Sequence, residues 1–210
     1  MFTSLMQRAR SAAIAACVIL LGLSALPITA PAQQASPGTV AVRIETSLGT
    51  ILAEIDSVRA PISARNFLRY VDSSAYTGGR FHRTVTMDNQ PRDTVRIEVI
   101  QGGANPSPTR TRFPAIPLER TNTTGLKHRD GTLSMARGGP DSATSDFFIC
   151  VGDQPSLDFA GHRNLDGQGF AAFGQVTQGM DIVRAIQKRP AEGQSLKPPI
   201  EIVRIERVRR

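Results

Sequence analysis

The stretch Thr132–Val151, which reads TLSMARGGPDSATSDFFICV, contains two apolar runs, Thr132–Ala136 and Phe147–Val151, of a length typical of β-strands. The segment between them is rich in Gly, Pro, Asp and Ser, which are the residues that form turns. Strand-length runs separated by turn residues are typical of β-rich folds. We therefore expect a mainly β domain in which these two runs are strands.

Upstream of this stretch, the sequence predicts a hairpin and then a helix. Apolar and polar residues alternate through 40–45 and again through 51–55, with turn residues between the two runs. Pro61 suits the first turn of a helix. The apolar residues after it have the spacing of one helical face, namely Ala64, Phe67, Leu68 and Val71. The remaining strand-like runs are Phe81–Val85, Val95–Gln101 and Phe170–Val176.

Downstream, the sequence predicts a second helix and a final strand. The helix spans Gly179–Lys188, and the cations at its end and Pro190 after it are typical of a helix C-terminus. In the last strand the inward alternation shifts after Ile202, which predicts a β-bulge at that point. About seven or eight short strands with one early and one late helix favour an antiparallel barrel whose open ends are covered by the helices.

Composition and charge limit the classes of function. The chain has 210 residues, 40% of them hydrophobic, which is enough for one domain with a full core. Its 25 Lys and Arg residues against 18 Asp and Glu residues give a net charge of +7. The basic residues are spread along the chain and form no stripe interleaved with aromatic residues. We therefore expect a basic but soluble surface and no nucleic-acid partner.

The cysteines and histidines do not have the pattern of a metal centre. Cys17 and Cys150 are the two cysteines, and Cys150 ends an apolar run, so we expect it to be a buried, unreactive thiol. His82, His128 and His162 lie far apart and lack metal-ligand spacing. We predict no metal and no cofactor.

Residues 1–32 differ in composition from the rest of the chain. They carry Arg8 and Arg10 without any acidic residue, then an uncharged apolar run, and then small residues around Ala32. This three-part pattern is typical of a cleaved signal peptide. One alternative is a retained membrane anchor, although the apolar run is short and interrupted. Another is lipidation at Cys17.

The expected domain organisation follows from this pattern. Residues 1–32 are predicted to be a cleaved signal peptide, 33–38 a linker, and 39–210 the folded domain. The mature protein is then expected to be periplasmic or secreted. We further expect a monomer without stable membrane contact after signal cleavage.

Four segments, in order along the chain, carry motifs that occur together in one known family. They are Ala60-Pro61 with Asn66-Phe67-Leu68, Phe81-His82-Arg83 with Gln101-Gly102-Gly103, residues 133–137 with residues 142–149, and residues 173–176 with Gly179-Met180. Together they resemble the cyclophilin-type peptidyl-prolyl cis/trans isomerases over residues 40–208. The resemblance implies a closed eight-stranded antiparallel β-barrel capped by two α-helices, in agreement with the strand and helix pattern above.

The resemblance also implies an activity and a set of site residues. The family isomerises X–Pro bonds in proline-containing polypeptides and uses no cofactor, which here implies a role in the folding of exported proteins. Arg83 corresponds to the catalytic donor, and Gln101 corresponds to the residue that binds the substrate backbone and orients the arginine. The other implied substrate-binding positions are Val99, Ala136, Arg137, Asp146, Phe148, Leu157 and Phe170. Among these, Val99, Phe148 and Leu157 correspond to the apolar pocket for the proline ring.

Some positions depart from the usual family pattern. Asp146 replaces a glutamine, and its carboxylate can pair with Arg83 or Arg137 nearby. Glu98 falls where a pocket phenylalanine is usual, which removes one apolar wall. Ser156 falls where some members carry a tryptophan.

Two further expectations follow from the departures. Phe170 replaces a histidine or tyrosine, and the segment after Arg83 is longer than in compact members, so 89–92 is expected to form a protruding loop. Separately, Glu98, Asp146 and Ser156 each weaken the usual pocket and motivate an alternative function. In that alternative the chain is a non-catalytic cyclophilin-like module that binds proline-containing segments or acts as a chaperone.

Overall fold

The computed structural model describes residues 38–107 and 112–208. The predicted signal peptide, residues 1–32, and residues 33–37 of the predicted linker lie outside the described residues. The strands are β1 (Thr39–Thr46), β2 (Gly49–Asp56), β3 (Gly79–Val85), β4 (Val99–Gly103), β5 (Thr132–Met135), β6 (Phe147–Cys150), β7 (Ala171–Gln178), β8 (Ala191–Glu192) and β9 (Ser195–Arg207). The helices are α1 (Pro61–Asp72), α2 (Thr121–Thr124) and α3 (Met180–Gln187).

Eight of the strands close into an antiparallel barrel. The order around the sheet is β1-β2-β7-β5-β6-β4-β3-β9, and β9 pairs back with β1 to complete the ring. The short β8 pairs only with β9 and forms a hairpin on the outside of the ring. Closure leaves no free edge among the eight barrel strands, which removes the unpaired backbone groups that an open sheet exposes. The predicted mainly β, eight-stranded barrel is confirmed.

The bulge predicted in the last strand lies where the alternation shifts. Glu45 of β1 pairs with Arg204 of β9, whereas the next residue, Thr46, pairs with Ile202. Val203 is therefore the extra residue in β9. Because a bulge shifts the phase of a strand by one residue, both Ile202 and Ile205 can point into the core, where each is buried.

The two predicted helices are confirmed, and α1 begins without a capping side chain of its own. Ala60 precedes it and offers no side-chain hydrogen bond. Instead, the carboxylate of Glu119, far along the chain, accepts hydrogen bonds from the backbone N–H groups of Ile62 at 2.9 Å and Ser63 at 2.7 Å. An anion at this end also complements the helix dipole. The four-residue α2 is too short to give a periodic signal and was not predicted.

The barrel interior is filled by an aromatic and aliphatic core that α1 covers. Phe67 of α1 lies with its ring centroid 5.3 Å from that of Phe147 on β6 and 5.2 Å from that of Phe173 on β7. These rings are fully buried. Burial of such side chains is the main stabilising contribution to a domain of this size.

No helix within residues 38–107 and 112–208 is both long enough and apolar enough to cross a bilayer.

A second, smaller apolar cluster lies on the other face of the same strands. We call it the cleft cluster, and its buried members are Val85, Ile97, Val99, Phe148, Cys150 and Leu157. It arises from strand alternation, because successive side chains of β6 point to opposite faces. Phe147 therefore belongs to the barrel core and Phe148 to the cleft cluster. Cys150 is buried there, and burial raises the pKa of its thiol, as expected for an unreactive cysteine.

Candidate active site

A cleft of about 460 Å³ lies above the cleft cluster and brings the predicted site residues together. The nine predicted positions that line it are Arg83, Val99, Gln101, Ala136, Arg137, Asp146, Phe148, Leu157 and Phe170. Four of them lie on strands β3, β4 and β6. The other five lie in the connections, directly after β5, directly before β6, and between β6 and β7. The cleft is therefore assembled from segments that are distant in sequence.

The floor of the cleft is apolar and firmly held. Val99, Phe148 and Leu157 are all buried. The ring of Phe170 meets that of Phe148 edge to face, with centroids 5.3 Å apart, a favoured geometry for aromatic pairs. An apolar floor of this kind suits a small saturated ring.

The prediction that Glu98 takes the place of an apolar wall of the pocket is wrong, because this residue does not face the cleft. Its carboxylate lies 3.3 Å from the amide nitrogen of Gln187 on α3. Ile97 lines the cleft in its place and is buried. Residues two apart along an extended segment share a face, so Ile97 and Val99 point together toward the cleft while Glu98 points away.

The expectation of a protruding loop at 89–92 is only half right. Pro91 and Arg92 are exposed, but Gln90 is buried. The Gln90 amide donates to the carbonyls of Thr86 at 2.6 Å and Ile97 at 2.8 Å, and its oxygen accepts from the Ile97 N–H at 3.2 Å. Gln90 therefore joins the two ends of the loop and fixes Ile97 in the cleft wall.

A bulge in β3 aims Arg83 at the cleft. Phe81 pairs with Gly102 and Arg83 pairs with Gln101, which leaves His82 as an extra residue in β3. Without it, Phe81 and Arg83 would share one face, since they are two residues apart. With it, Phe81 is buried in the barrel core while Arg83 lines the cleft. Bulges often redirect a side chain beside a functional site.

Two amide oxygens hold the guanidinium of Arg83. Gln101 Oε1 accepts from Nη1 at 2.9 Å, and Gln194 Oε1 accepts from Nε at 2.9 Å and from Nη2 at 2.6 Å. A guanidinium has five N–H groups, so one on each terminal nitrogen stays available. Burial, and then the nearby positive charge of Arg163, lowers the pKa of Arg83, although an arginine still keeps its proton.

The expected pairing of Asp146 with Arg83 or Arg137 is wrong. The Asp146 carboxylate accepts from the Gln101 amide at 3.4 Å, and lies 3.7 Å from His82 Nε2. A Cβ atom at Gly103 would collide with that carboxylate, so the glycine lets Asp146 lie close to β4. Because Gln101 donates to Asp146 and accepts from Arg83, it separates the two charges.

Arg137 forms its ion pair elsewhere. Its guanidinium contacts both oxygens of Asp166, at 2.8 and 3.0 Å, and donates to the carbonyl of Gly169. It also lies over the ring of Phe170, 5.0 Å from the centroid. The hydrogen bond from Arg137 lowers the pKa of Asp166. The Arg137 side chain therefore holds the loop that carries Phe170.

Behind the cleft floor lies a buried chain of hydrogen bonds. His128 Nε2 is 2.9 Å from Ser134 Oγ, and His128 Nδ1 is 2.8 Å from Asp158 Oδ1. The imidazole stacks on Phe148 with centroids 5.9 Å apart. These types and contacts resemble a hydrolytic triad, but Ser134 is fully buried. These hydrogen bonds therefore support Phe148, and Ser134 does not serve as a nucleophile.

The pKa values of His128 and Asp158 are both lowered, for different reasons. Burial lowers the pKa of His128, outweighing the opposing effect of the Asp158 carboxylate. For Asp158, burial acts to raise the pKa, but hydrogen bonds from His128 together with the charge of Lys127 prevail and lower it. Neutral imidazole and ionised carboxylate are thus the favoured forms in the folded protein.

Further residues line the cleft that the sequence did not indicate, namely Ile97, Gly138, Ser142, Thr144, Arg163 and Asn164. Arg163 is pinned by Asp93 at 3.1 Å and by the carbonyl of Val95 at 2.7 Å. It therefore joins the loop after β3 to the loop before β7.

Ser156, by contrast, does not line the cleft. Within the described part of the chain, no group of three or more His, Cys, Asp or Glu side chains is placed to hold a metal ion.

Comparison with known families gives one match over most of the chain. The model of the family described as "Cyclophilin type peptidyl-prolyl cis-trans isomerase/CLD" matches residues 41–210. The sequence is 36% identical to a peptidyl-prolyl cis-trans isomerase of Acinetobacter baylyi over 171 residues, covering 79% of this chain and 84% of that one. It is also 36% identical to peptidyl-prolyl cis-trans isomerase A of Dickeya dadantii over 180 residues, covering 85% of each chain.

Comparison with solved structures agrees with the fold. A cyclophilin-type isomerase from Cryptosporidium parvum superposes with a TM-score of 0.62 at 23% sequence identity, covering 82% of this chain and 99% of that one. A second structure of the Cryptosporidium protein, determined in the presence of the dipeptide Ala-Pro, gives a TM-score of 0.61. At this level of identity the likeness concerns the barrel architecture alone.

Proposed function

This chain belongs to the family of cyclophilin-type peptidyl-prolyl cis-trans isomerases, and we propose that it accelerates X–Pro isomerisation in exported polypeptides as they fold. The relatives named as isomerases share more than a third of its sequence over most of its length. The observation that carries the proposed mechanism is the environment of Arg83. It is a cation held by two neutral amides, beside an apolar floor.

The chemistry needs one fixed donor and no covalent step. Rotation about an X–Pro bond disrupts amide resonance, with a barrier of about 20 kcal/mol. At the twisted transition state the prolyl nitrogen becomes pyramidal and gains a lone pair. A donor aimed at that nitrogen binds the transition state more strongly than either planar isomer, and so lowers the barrier.

Arg83 meets the requirements for that donor. Its spare N–H groups are fixed before substrate arrives, because three of its five are already bound. No acidic side chain pairs with it among the described residues, so its charge remains available to the substrate. Held in this way, the guanidinium needs little reorganisation during the reaction.

The apolar floor provides the matching site for the substrate. In our proposal the proline ring lies against Phe148 and Leu157, and the ring of Phe170 closes one side. Burying a small apolar ring there contributes about 1.5–3 kcal/mol to binding. The peptide segments on either side of the proline remain in the open part of the cleft, which suits an unfolded or partly folded chain.

The location of the substrates is a separate part of the proposal. It is supported by the signal-peptide pattern of residues 1–32, which lies outside the described residues. We propose that the mature protein acts as a monomer in the periplasm or outside the cell, without stable membrane contact. Expression of the full chain in a Gram-negative host tests this part. We expect the mature protein in the periplasmic fraction with Gln33 as its first residue, and an unprocessed cytoplasmic chain would contradict it.

Two of the observations that favoured a non-catalytic proline-binding or chaperone module do not hold in the structure. Glu98 faces away from the cleft, and Ile97 supplies the apolar wall instead. Asp146 does not neutralise Arg83, because Gln101 lies between them. Catalysis is therefore the better supported function.

Activity of an Arg83→Ala variant tests the catalytic proposal. We expect kcat/KM for a prolyl tetrapeptide, measured with a chymotrypsin-coupled assay, to fall by about 10²- to 10³-fold, the usual cost of losing one transition-state donor. Arg80→Ala is the matched control, since Arg80 is an exposed cation on the same strand. It should keep full activity. A wild-type protein with no rate above the thermal background contradicts the proposal, as does an Arg83→Ala variant of undiminished activity.

A further inference from the structure

The tip of the β8–β9 hairpin reaches across to the guanidinium of Arg83. Gln194 follows Gly193 in the turn between the two strands, and it is 111 residues from Arg83 in sequence. Its amide oxygen accepts from Nε at 2.9 Å and from Nη2 at 2.6 Å. No other side chain in the described residues makes two hydrogen bonds to this guanidinium.

The chemistry of the contacts fixes the orientation of the Gln194 amide. A guanidinium can only donate hydrogen bonds, so the amide must present its oxygen to Arg83. The amide nitrogen then faces the carbonyl of Asn89, 3.3 Å away. Gln194 therefore has one productive orientation, and it holds the edge of the guanidinium opposite to the edge that Gln101 holds.

The hairpin itself is held in place by contacts that do not involve the Gln194 side chain. The Thr84 N–H donates to the backbone carbonyl of Gln194 at 2.9 Å. The Asn89 amide donates to the carbonyl of Gly193 at 3.2 Å. A substitution of the Gln194 side chain therefore leaves the hairpin anchored and removes only the contacts with Arg83 and the Asn89 carbonyl.

We propose that Gln194 is a positioning residue for the isomerase reaction, acting through Arg83. This inference rests on the proposed function. Gln194 does not line the cleft, so it is not placed to touch substrate. Its role is to fix the long arginine side chain before substrate binds, since a misplacement of about 1 Å can cost about 100-fold in rate.

Three variants test the proposal against the wild-type protein. Gln194→Met keeps the length of the side chain and loses the acceptor, whereas Gln194→Glu keeps an acceptor oxygen at the same reach. Glu192→Met is the matched control, because Glu192 is exposed on the same hairpin, and its carboxylate forms an ion pair only with Lys197, at 3.7 Å, among the described residues. The measurements are kcat and KM with a prolyl tetrapeptide, the thermal midpoint, and the ¹⁵N spectrum of the arginine Nε–H groups. The Arg83 signal is assigned by its absence from the Arg83→Ala variant.

We expect Gln194→Met to lower kcat by about tenfold or more with little change in KM or thermal midpoint. Its Arg83 Nε–H should exchange with water faster than in the wild type. Gln194→Glu should recover the slow exchange but not the full activity, because its carboxylate holds the guanidinium in place and also pairs with the charge that the substrate needs. Glu192→Met should match the wild type. If the wild type is active and Gln194→Met is equally active, the inference alone is overturned. The same holds if the Arg83 Nε–H exchanges as fast in Gln194→Glu as in Gln194→Met. An inactive wild type instead removes the proposed function.

Discussion

Phe147 and Phe148 are neighbours in sequence, yet they belong to different parts of the molecule. Phe147 lies in the barrel core and meets the rings of Phe67, Tyr76 and Phe81, with centroids 5.3–5.8 Å apart. Phe148 lies in the cleft cluster, where its ring meets Phe170, stacks on His128 and borders the cleft. One face of strand β6 thus stabilises the barrel, and the other forms the floor of the site.

The difference between the two faces lies in how completely each is packed. The core residue is surrounded on all sides by apolar groups, so removing it leaves a cavity that the rigid barrel cannot fill. The cleft residue is also buried, but it borders the cleft, and His128 stacks behind it. Substitutions on the first face should therefore change stability, and those on the second should change catalysis.

The largest effect is expected for Phe147→Ala. Loss of a fully buried ring in a close-packed core should lower the free energy of unfolding by about 3–5 kcal/mol. Denaturant unfolding followed by circular dichroism measures the change. The remaining folded fraction should keep its kcat/KM, once activity is corrected for the folded population. A loss below about 1 kcal/mol would show that the aromatic core is less tightly coupled than its ring contacts indicate.

Phe148→Ala should show the reverse pattern. Without the ring, the floor loses an apolar contact of about 1.5–3 kcal/mol with the substrate, so kcat/KM should fall by about 10- to 100-fold. The loss of unfolding free energy should be smaller than for Phe147→Ala, since Phe148 borders the cleft, whereas Phe147 packs against three aromatic rings in the core. The same prolyl-peptide assay and denaturant titration separate the two. Equal destabilisation by the two variants would contradict the division between the faces.

Acidification should lower the free energy of unfolding through the His128–Asp158 pair behind the cleft floor. Because burial lowers the pKa of His128 in the folded protein, the unfolded chain binds more protons below about pH 6.5. The lowered pKa of Asp158 acts in the same direction below about pH 4. Stability should therefore fall as the pH falls, by at most about 1.4 kcal/mol per pH unit for each proton.

A His128→Gln variant isolates the histidine contribution. Unfolding free energies of the wild type and the variant, measured at several values between about pH 7.5 and pH 5.5, should diverge in slope. The variant should have the flatter profile, because it has lost the group that is uncharged when folded and charged when unfolded. Parallel profiles would mean that His128 does not report on folding in this range.

The smallest effect is expected at the rim of the cleft. The Asp146 carboxylate is 40% exposed, so its attraction for a substrate cation is worth about 0.2–1 kcal/mol. Asp146 should therefore raise kcat/KM for peptides with lysine near the proline relative to peptides with glutamate. Asp146→Gln should reduce the ratio of their kcat/KM values by about two- to fivefold. The ratio should also shrink at high salt, and a ratio unaffected by the substitution would exclude this role.

Much of the fold could be predicted because its signals are local. Alternation marked the strands, and the spacing of Ala64, Phe67, Leu68 and Val71 marked α1. The bulge at Val203 was visible because the apolar residues on either side of it change phase. The bulge at His82 was not visible, because only one apolar residue, Phe81, precedes it on its face. The position of Arg83 in the site was consequently predicted from the family motif and not from the alternation of apolar and polar residues.

The parts of the site that could not be predicted depend on contacts between distant residues. All nine positions that the motif indicated line the cleft, but the motif did not show that Gln194 reaches Arg83 from the far end of the chain. It also placed Glu98 at a pocket position, where it would remove one apolar wall, and allowed Asp146 to pair with Arg83 or Arg137. The Glu98 side chain points away from the cleft toward Gln187. The amide of Gln101 lies between Asp146 and Arg83 and keeps them apart. Neither can be obtained from residue type and position alone.

The pairing of β1 with β9 brings the first and last strands of the barrel side by side. The Val208 N–H donates to the carbonyl of Ala41 at 2.9 Å, and in the ring of eight strands this seam lies opposite β6. A short peptide joining the two ends would therefore permit circular permutation, with new ends at the turn between β1 and β2. A fluorescent label or fused domain attached at the seam would leave the opposite wall of the barrel open to solvent.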